Sequence, residues 1–191
     1  MELLRSRGVG SVVAALAGVA LCLAPGLPAL RAQPAVAPEY QLKAVFLFHF
    51  AQFVQWPRQA FPEPDSPLII GVLGADPFGP LLDQIVSGQT VNHRRLVVRR
   101  FRDVEQVDGC HILFIARTSP ADLRQILNAL RGKSVLTVGD MAGFARQGGM
   151  IGFVTEDNRI RFRINLQAAK AAHLTLSSLL LRPAEIVAGE D

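Results

Sequence analysis

Gln147-Gly148-Gly149-Met150-Ile151-Gly152-Phe153-Val154-Thr155-Glu156-Asp157-Asn158-Arg159-Ile160-Arg161-Phe162-Arg163-Ile164-Asn165 alternates strictly in its second half. Ile160, Phe162 and Ile164 fall on one face and Arg159, Arg161 and Arg163 on the other, the period-two pattern of a strand with one buried side. Met150 to Thr155 is a second β-branched and aromatic run, and Glu156-Asp157-Asn158 supplies a short polar turn between the two, so the pair reads as a β-hairpin. Gly148-Gly149 lets the chain turn sharply into it. Asn165 stands at the N-cap position of a helical run from Leu166 to His173.

Upstream of the hairpin, strand and helix signals alternate. Residues 68–74 (Leu-Ile-Ile-Gly-Val-Leu-Gly) and 110–116 (Cys-His-Ile-Leu-Phe-Ile-Ala) are continuous apolar runs, as expected of strands buried on both faces of a parallel sheet. Arg95 to Phe101 and Ser134 to Val138 add two more strands. Pro80 opens a helix that runs to Val86 with Gly88 just past its end. Ser119-Pro120-Ala121-Asp122 opens another with a capping-box-like pattern, whose buried stripe is Leu123, Ile126, Leu127 and Leu130 and which Gly132 closes. The expected fold is therefore a single-domain, doubly wound α/β sheet, mainly parallel and flanked by helices, with the hairpin as an antiparallel edge and a final helix. Before the first strand, residues 39–56 form an apolar helix with Leu42, Phe46, His49, Phe53 and Trp56 at helical spacing, ended by Pro57. Its apolar face is wide enough either to pack between layers or to serve as an association surface, including one for a homodimer.

The first 32 residues fall outside this pattern. Arg5 and Arg7, the apolar run from Val9 to Leu23 and the small residue Ala32 have the layout of a secretory signal peptide. The run is short of the roughly 20 residues that span a bilayer. Leu21 is too bulky for the position before Cys22 in a lipid-anchor signal. The expected organisation is a leader at 1–32, a linker at 33–38, the α/β domain at 39–187 and a tail at 188–191. Removing the leader takes away three arginines and one glutamate, so the formal charge falls from +4 to +2, which argues against nucleic acid as a partner. Cys110 becomes the one remaining cysteine, and no intramolecular disulfide can form.

Catalytic patterns are lacking. Gly132-Lys133-Ser134 resembles the tail of a phosphate-binding loop but runs from helix to strand, the reverse of what that loop requires. His49, His93, His111 and His173 show no paired metal spacing, and neither a metalloprotease nor a nucleophile-elbow motif occurs. No metal, cofactor or enzymatic activity is expected. Two non-enzymatic surfaces stand out: the hairpin, with Glu156, Asn158, Arg159, Arg161 and Arg163, and the carboxyl end of the first long strand, with Gly74 and Asp76, where doubly wound sheets bind ligands. The arginine face is either a solvated, charged edge that discourages strand pairing or a surface for an acidic partner or anionic ligand. Phe53 and Trp56, at the end of the first helix, are the next candidate contact.

Three segments, Tyr40-Gln41-Leu42-Lys43-Ala44-Val45-Phe46 continuing to Phe53-Val54-Gln55-Trp56-Pro57, Cys110-His111-Ile112-Leu113-Phe114-Ile115, and Gly148-Gly149-Met150-Ile151 through Phe162-Arg163-Ile164-Asn165-Leu166, resemble the YfiR-like family of small periplasmic proteins. With Val72-Leu73-Gly74 and Ser177-Ser178-Leu179-Leu180, the similarity spans residues 39–187. The resemblance implies a periplasmic repressor that holds an inner-membrane diguanylate cyclase inactive by contacting its periplasmic part, lowering cyclic-di-GMP and biofilm formation. It also implies that an OmpA-like outer-membrane lipoprotein can sequester such a repressor. In the pattern it resembles, members often carry a cysteine in the first strand that can bond to the one in the third; Gly71 stands in that strand here. Pro183 interrupts the final helix, so its last turns are expected to kink or swing out. The other reading is a periplasmic sensor that takes a small anionic or aromatic ligand near Gly74 and Asp76 and serves a histidine kinase or receptor.

Overall fold

The computed structural model describes residues 36–189, so the expected leader lies outside it, as do the last two residues of the expected tail. The chain runs α1 (Pro38–Phe53), β1 (Val54–Gln55), β2 (Leu68–Leu73), α2 (Pro80–Val86), β3 (Thr90–Val91), β4 (Arg94–Phe101), β5 (Ile112–Ile115), α3 (Pro120–Ala129), β6 (Leu136–Gly139), β7 (Ile151–Glu156), β8 (Arg159–Ile164), α4 (Leu166–Ala171), β9 (Thr175–Leu176), α5 (Ser178–Leu181) and β10 (Glu185–Ile186). The main sheet has the order β10-β8-β7-β6-β5-β2-β4-β3. Strands β4, β2, β5, β6 and β7 are parallel, while β8 runs antiparallel to β7 and β3 antiparallel to β4. Every residue of β2, β5 and β6 is buried, the burial that the continuous apolar runs require in a sheet covered on both sides.

Two apolar layers cover that sheet. Ile70, Val72, Ile112, Phe114, Leu136 and Val138 face Ala44, Leu47 and Phe50 of α1 and Leu82 of α2. Ile69, Leu73, Leu113 and Ile115 face the other way, toward Leu123 of α3 and Phe144. Most of the apolar side of α1 therefore packs into the core, although Leu42 remains exposed. Phe144 depends on two glycines. A Cβ built on Gly149 would come within 2.2 Å of its ring, and one on Gly139 within 2.6 Å. Of the Gly148-Gly149 pair, only Gly148 has a positive φ, 99°; Gly149 is required by the close approach of Phe144.

Several boundaries differ from the sequence expectation. α1 stops at Phe53, and Val54 and Gln55 pair antiparallel with Leu176 and Thr175. Trp56 precedes Pro57, whose ring disfavours a helical residue before it, and β9 supplies partners for the extended chain. His173 lies past the end of α4 with φ 59°. It forms the left-handed close of a Schellman turn, with Leu174 N–H donating to Ala169 C=O and His173 N–H to Lys170 C=O. The Asn165 side chain caps α4 as expected, accepting from Ala168 N–H.

The hairpin is not the sheet's edge. α5 is a single turn, and beyond Pro183 the chain re-enters the sheet as β10, parallel to β8, with Glu185 opposite Arg163 and Ile186 opposite Ile164. Val187 N–H then donates to Ile164 C=O. A second hairpin, β3–β4, escaped the sequence reading. Its turn residues Asn92 and His93 both have positive φ, as do Asp157 and Asn158 between β7 and β8, the geometry favoured by two-residue hairpin loops.

Candidate functional site

The β7–β8 register settles which side chains share a face. Glu156 lies opposite Arg159, Val154 opposite Arg161 and Gly152 opposite Arg163, while Phe153–Phe162 and Ile151–Ile164 alternate with them. Phe153, Phe162 and Ile164 are buried in the core, so the three arginines point away from it. They are not equivalent. Arg163 donates from Nη2 to Glu156 Oε1 at 3.0 Å and from Nε to Glu185 Oε2 at 2.9 Å, which ties β8 to both of its neighbours. These carboxylates raise the Arg163 pKa further, the Glu185 hydrogen bond most. Arg161 Nε is 3.6 Å from Glu156 Oε2. Arg159, next to Asn158 at the tip, makes no ion pair among the described residues. The unclaimed positive charge is thus carried by Arg159 and, in large part, by Arg161.

Behind the hairpin lies a charged cluster that the sequence reading missed. Lys43, on the sheet-facing side of α1, is 1% exposed. Its Nζ donates to Asp140 Oδ2 at 2.6 Å and pairs with Glu39 Oε1 at 2.5 Å, one helical turn earlier. Tyr40 Oη donates to the same Asp140 oxygen at 2.8 Å, and Lys43 Nζ lies 4.5 Å from the centre of the Tyr40 ring. Glu39 also accepts from the Thr155 hydroxyl at 3.2 Å. A buried ammonium demands such partners, because unpaired it would lose its hydration with nothing in exchange. Burial, followed by the hydrogen bond to Asp140, pushes Tyr40 up to about 12. The Lys43 hydrogen bond holds Glu39 below the usual carboxylate range.

Asp140 follows β6 directly, so this cluster sits at the carboxyl end of the sheet. There it opens onto a cavity of about 660 Å³ whose wall includes Glu39, Lys43, Arg117, Asp140, Glu156 and Arg163. Two of the hairpin residues singled out from sequence, Glu156 and Arg163, thus share a cleft with the buried Lys43–Asp140 pair. Arg159 and Asn158 do not line it. A lysine inside an otherwise apolar helix, and an aspartate at the carboxyl end of a buried strand, were the available signals.

Gly74 lines a smaller cavity of about 300 Å³ at the ends of β2, β4 and β5, with Arg102, Glu105, Arg117, Thr118 and Asp122. The strand order reverses there, β4 lying on one side of β2 and β5 on the other, which is where open α/β sheets hold ligands. Asp76 is not in that wall. It accepts from Phe78 N–H at 2.7 Å and from Arg100 Nε at 2.8 Å, and Arg100 also grips Asp83. Asp76 therefore fixes the loop before α2.

Phe53 and Trp56 lie at the opposite, amino end of the parallel strands. Phe53 is partly buried against the core, and Trp56 Nε1 donates to His111 C=O at 3.1 Å. The His111 ring accepts from Ile69 N–H at Nδ1, which leaves the proton on Nε2 to donate to Ala60 C=O at 3.1 Å. Phe61 stacks on it at 4.3 Å. Burial brings His111 down to about 4. Cys110, also buried and free, is pushed up to about 12 by desolvation.

Residues 40–185 match the family described as YfiR/HmsC-like. The chain belongs to that family. The match takes in α1 from Tyr40, all nine strands from β1 to β9, and the start of β10. Both the hairpin and the Lys43–Asp140 cluster therefore fall within the YfiR/HmsC-like region. A search of curated proteins returned no match. Among the described residues, no helix is long and apolar enough to cross a membrane.

Proposed function

We propose that this YfiR/HmsC-like chain is an exported, non-enzymatic regulator that binds the periplasmic part of an inner-membrane diguanylate cyclase and represses it. Residues 1–32 act as the signal peptide in this reading. An OmpA-like lipoprotein of the outer membrane would relieve repression by sequestering the regulator. Family membership carries the reading, and the hairpin supplies a docking surface of suitable chemistry. Arg159 and Arg161 project from a strand pair held in fixed register, so an acidic patch meets two guanidinium groups whose spacing is set before contact.

The test uses Arg159→Glu/Arg161→Glu and spares Arg163, whose ion pairs hold β10 in place. The thermal midpoint should change little, because exposed substitutions of this kind shift stability by about 0.5 kcal/mol or less. Capture of the cyclase from solubilised membranes should be lost, and cyclic-di-GMP should rise to the level of a deletion strain. A folded double variant that still represses fully would remove the hairpin from the interface. A deletion that leaves cyclic-di-GMP unchanged beside an intact cyclase would overturn the regulatory reading itself.

A sensor reading draws support from the cavity at Gly74, which lies at the strand-order reversal. In that case a small ligand bound there would be read out by a histidine kinase or receptor, and saturable binding lost in Gln125→Trp, which fills the cavity from an exposed position on α3, would favour it.

A further inference from the structure

We propose that the cleft over Asp140 binds a primary ammonium group, with Asp140 Oδ1 as the acceptor. The two oxygens of this carboxylate have unequal surroundings. Oδ2 accepts from both Lys43 and Tyr40, whereas Oδ1 is buried and has no hydrogen-bond partner. The side chain is 2% exposed, and a buried charged acceptor left bare is costly enough to call for a donor. Arg117 is the second cation at this carboxylate, with Nε 3.8 Å from Oδ1. That is too far for a hydrogen bond. The Arg117 side chain is also 76% exposed, free to swing toward solvent when another donor arrives.

Charge and shape then select the donor. Lys43 lies between two carboxylates, Glu39 and Asp140, so with the exposed Arg117 side chain swung out to solvent the inner part of the cleft carries one unbalanced negative charge. Arg163, across the cleft, is already matched by Glu156 and Glu185, and a cationic ligand is favoured. A guanidinium seeks both oxygens of a carboxylate at once, and Oδ2 is already filled. A compact ammonium needs only one oxygen per N–H, and the half-exposed Glu39 carboxylate on the same wall offers a second. Among the described residues no set of three metal-ligating side chains exists, so a divalent cation lacks the donors it needs. Phe153, Val154 and Met141 form apolar wall beside the charges, room for the alkyl part of an amine. The proposal does not depend on the hairpin docking a cyclase.

The experiment is calorimetric titration of the mature protein with butylammonium and with Nα-acetyl-lysine methylamide, the two sources of the group being a free amine and a lysine side chain of a partner. Butyl-trimethylammonium, butylguanidinium and butyrate are the comparators. Saturable binding of either primary amine is expected, with butylammonium alone pointing to a free amine and the lysine derivative alone to a partner's side chain. Butyl-trimethylammonium, which keeps the charge and lacks N–H donors, should bind about tenfold more weakly or not at all. Asp140→Asn should abolish binding. Arg117→Gln, exposed and safe for folding, should strengthen it by about threefold or more, because the competing cation is gone. The proposal is overturned if neither primary amine saturates the protein, if the trimethylammonium or guanidinium compound binds as well, or if Arg117→Gln weakens binding.

Discussion

Replacing Lys43 by methionine tests the buried cluster directly. Methionine keeps most of the aliphatic stem, so the change removes chiefly the ammonium, which lies 4.5 Å from the centre of the Tyr40 ring and 5.8 Å from that of Phe153. Asp140 would then keep one donor, the Tyr40 hydroxyl, while buried as before. Breaking a buried ion pair from one side costs about 3–5 kcal/mol, a large share of the roughly 5–15 kcal/mol that holds a domain together. With a urea slope of about 2 kcal/mol per molar, the unfolding midpoint should fall by about 2 M. Lys43→Met/Asp140→Leu removes both charges and should recover at least half of that loss, since an apolar pair of similar volume avoids the uncompensated carboxylate. Urea melts followed by the single tryptophan, Trp56, give all three midpoints. A Lys43→Met protein within about 1 kcal/mol of the parent, or a double variant less stable than Lys43→Met alone, would refute the reasoning.

Stability should fall in acid through His111. Its native pKa of about 4 lies below the ordinary 6.5, so the unfolded chain takes the proton first; the contribution is complete above pH 6.5 and is lost as pH falls toward 4, by up to about 3 kcal/mol. His111→Phe should flatten this part of the pH–stability curve, and an unchanged slope would assign it to other groups. Gly71→Cys should form a disulfide with Cys110, because a Cβ at residue 71 would stand 2.7 Å from Cys110 Sγ. Closing a loop of about 40 residues would add about 4 kcal/mol, less the cost of crowding Phe101 and Leu113, whose atoms come within 2.8 and 2.9 Å of that Cβ. Two free thiols in the air-oxidised protein would count against the reading.

What was legible in the sequence was local. The alternation of Arg159 to Ile164, the cap at Asn165 and the apolar runs of β2 and β5 each follow from rules that act within a few residues, and each holds in the structure. What was missed depended on distant partners. Val54 and Gln55 leave the helix because Thr175 and Leu176, some 120 positions later, complete their hydrogen bonds. The partner that lets Lys43 be buried on α1, Asp140, stands 97 residues on, beyond the reach of any local rule. Pro183 was expected to kink the last turns of a final helix, whereas α5 already ends at Leu181, and nothing near it showed that Glu185 and Ile186 would return to pair with β8. The candidate site was half visible for the same reason: its hairpin wall is one local motif, while its charged floor is assembled from α1 and the end of β6.

Glu156 belongs to both surfaces. Its Oε1 accepts from Arg163 at the cleft, and its Oε2 lies 3.6 Å from Arg161 on the hairpin face. An acidic group drawn to Arg161 would compete with Glu156 for that guanidinium, and a cation in the cleft would attract Glu156 from the other side. The two events are therefore coupled through one carboxylate, with the same sign in both directions, since binding free energies are reciprocal. The size of that coupling is bounded. Exposed ion pairs are worth about 0–1 kcal/mol and are screened by salt, so occupancy of one surface could change affinity at the other by about fivefold at most. A larger effect would require a second arrangement of β7 and β8. Their six residue pairs are anchored at the base, by β6 at Ile151 and Gly152 and by β10 at Arg163 and Ile164, and a register slip would carry Phe162 and Ile164 into water. The hairpin is thus built to hold its charges in place, and any tuning between the two surfaces is electrostatic and weakens as ionic strength rises.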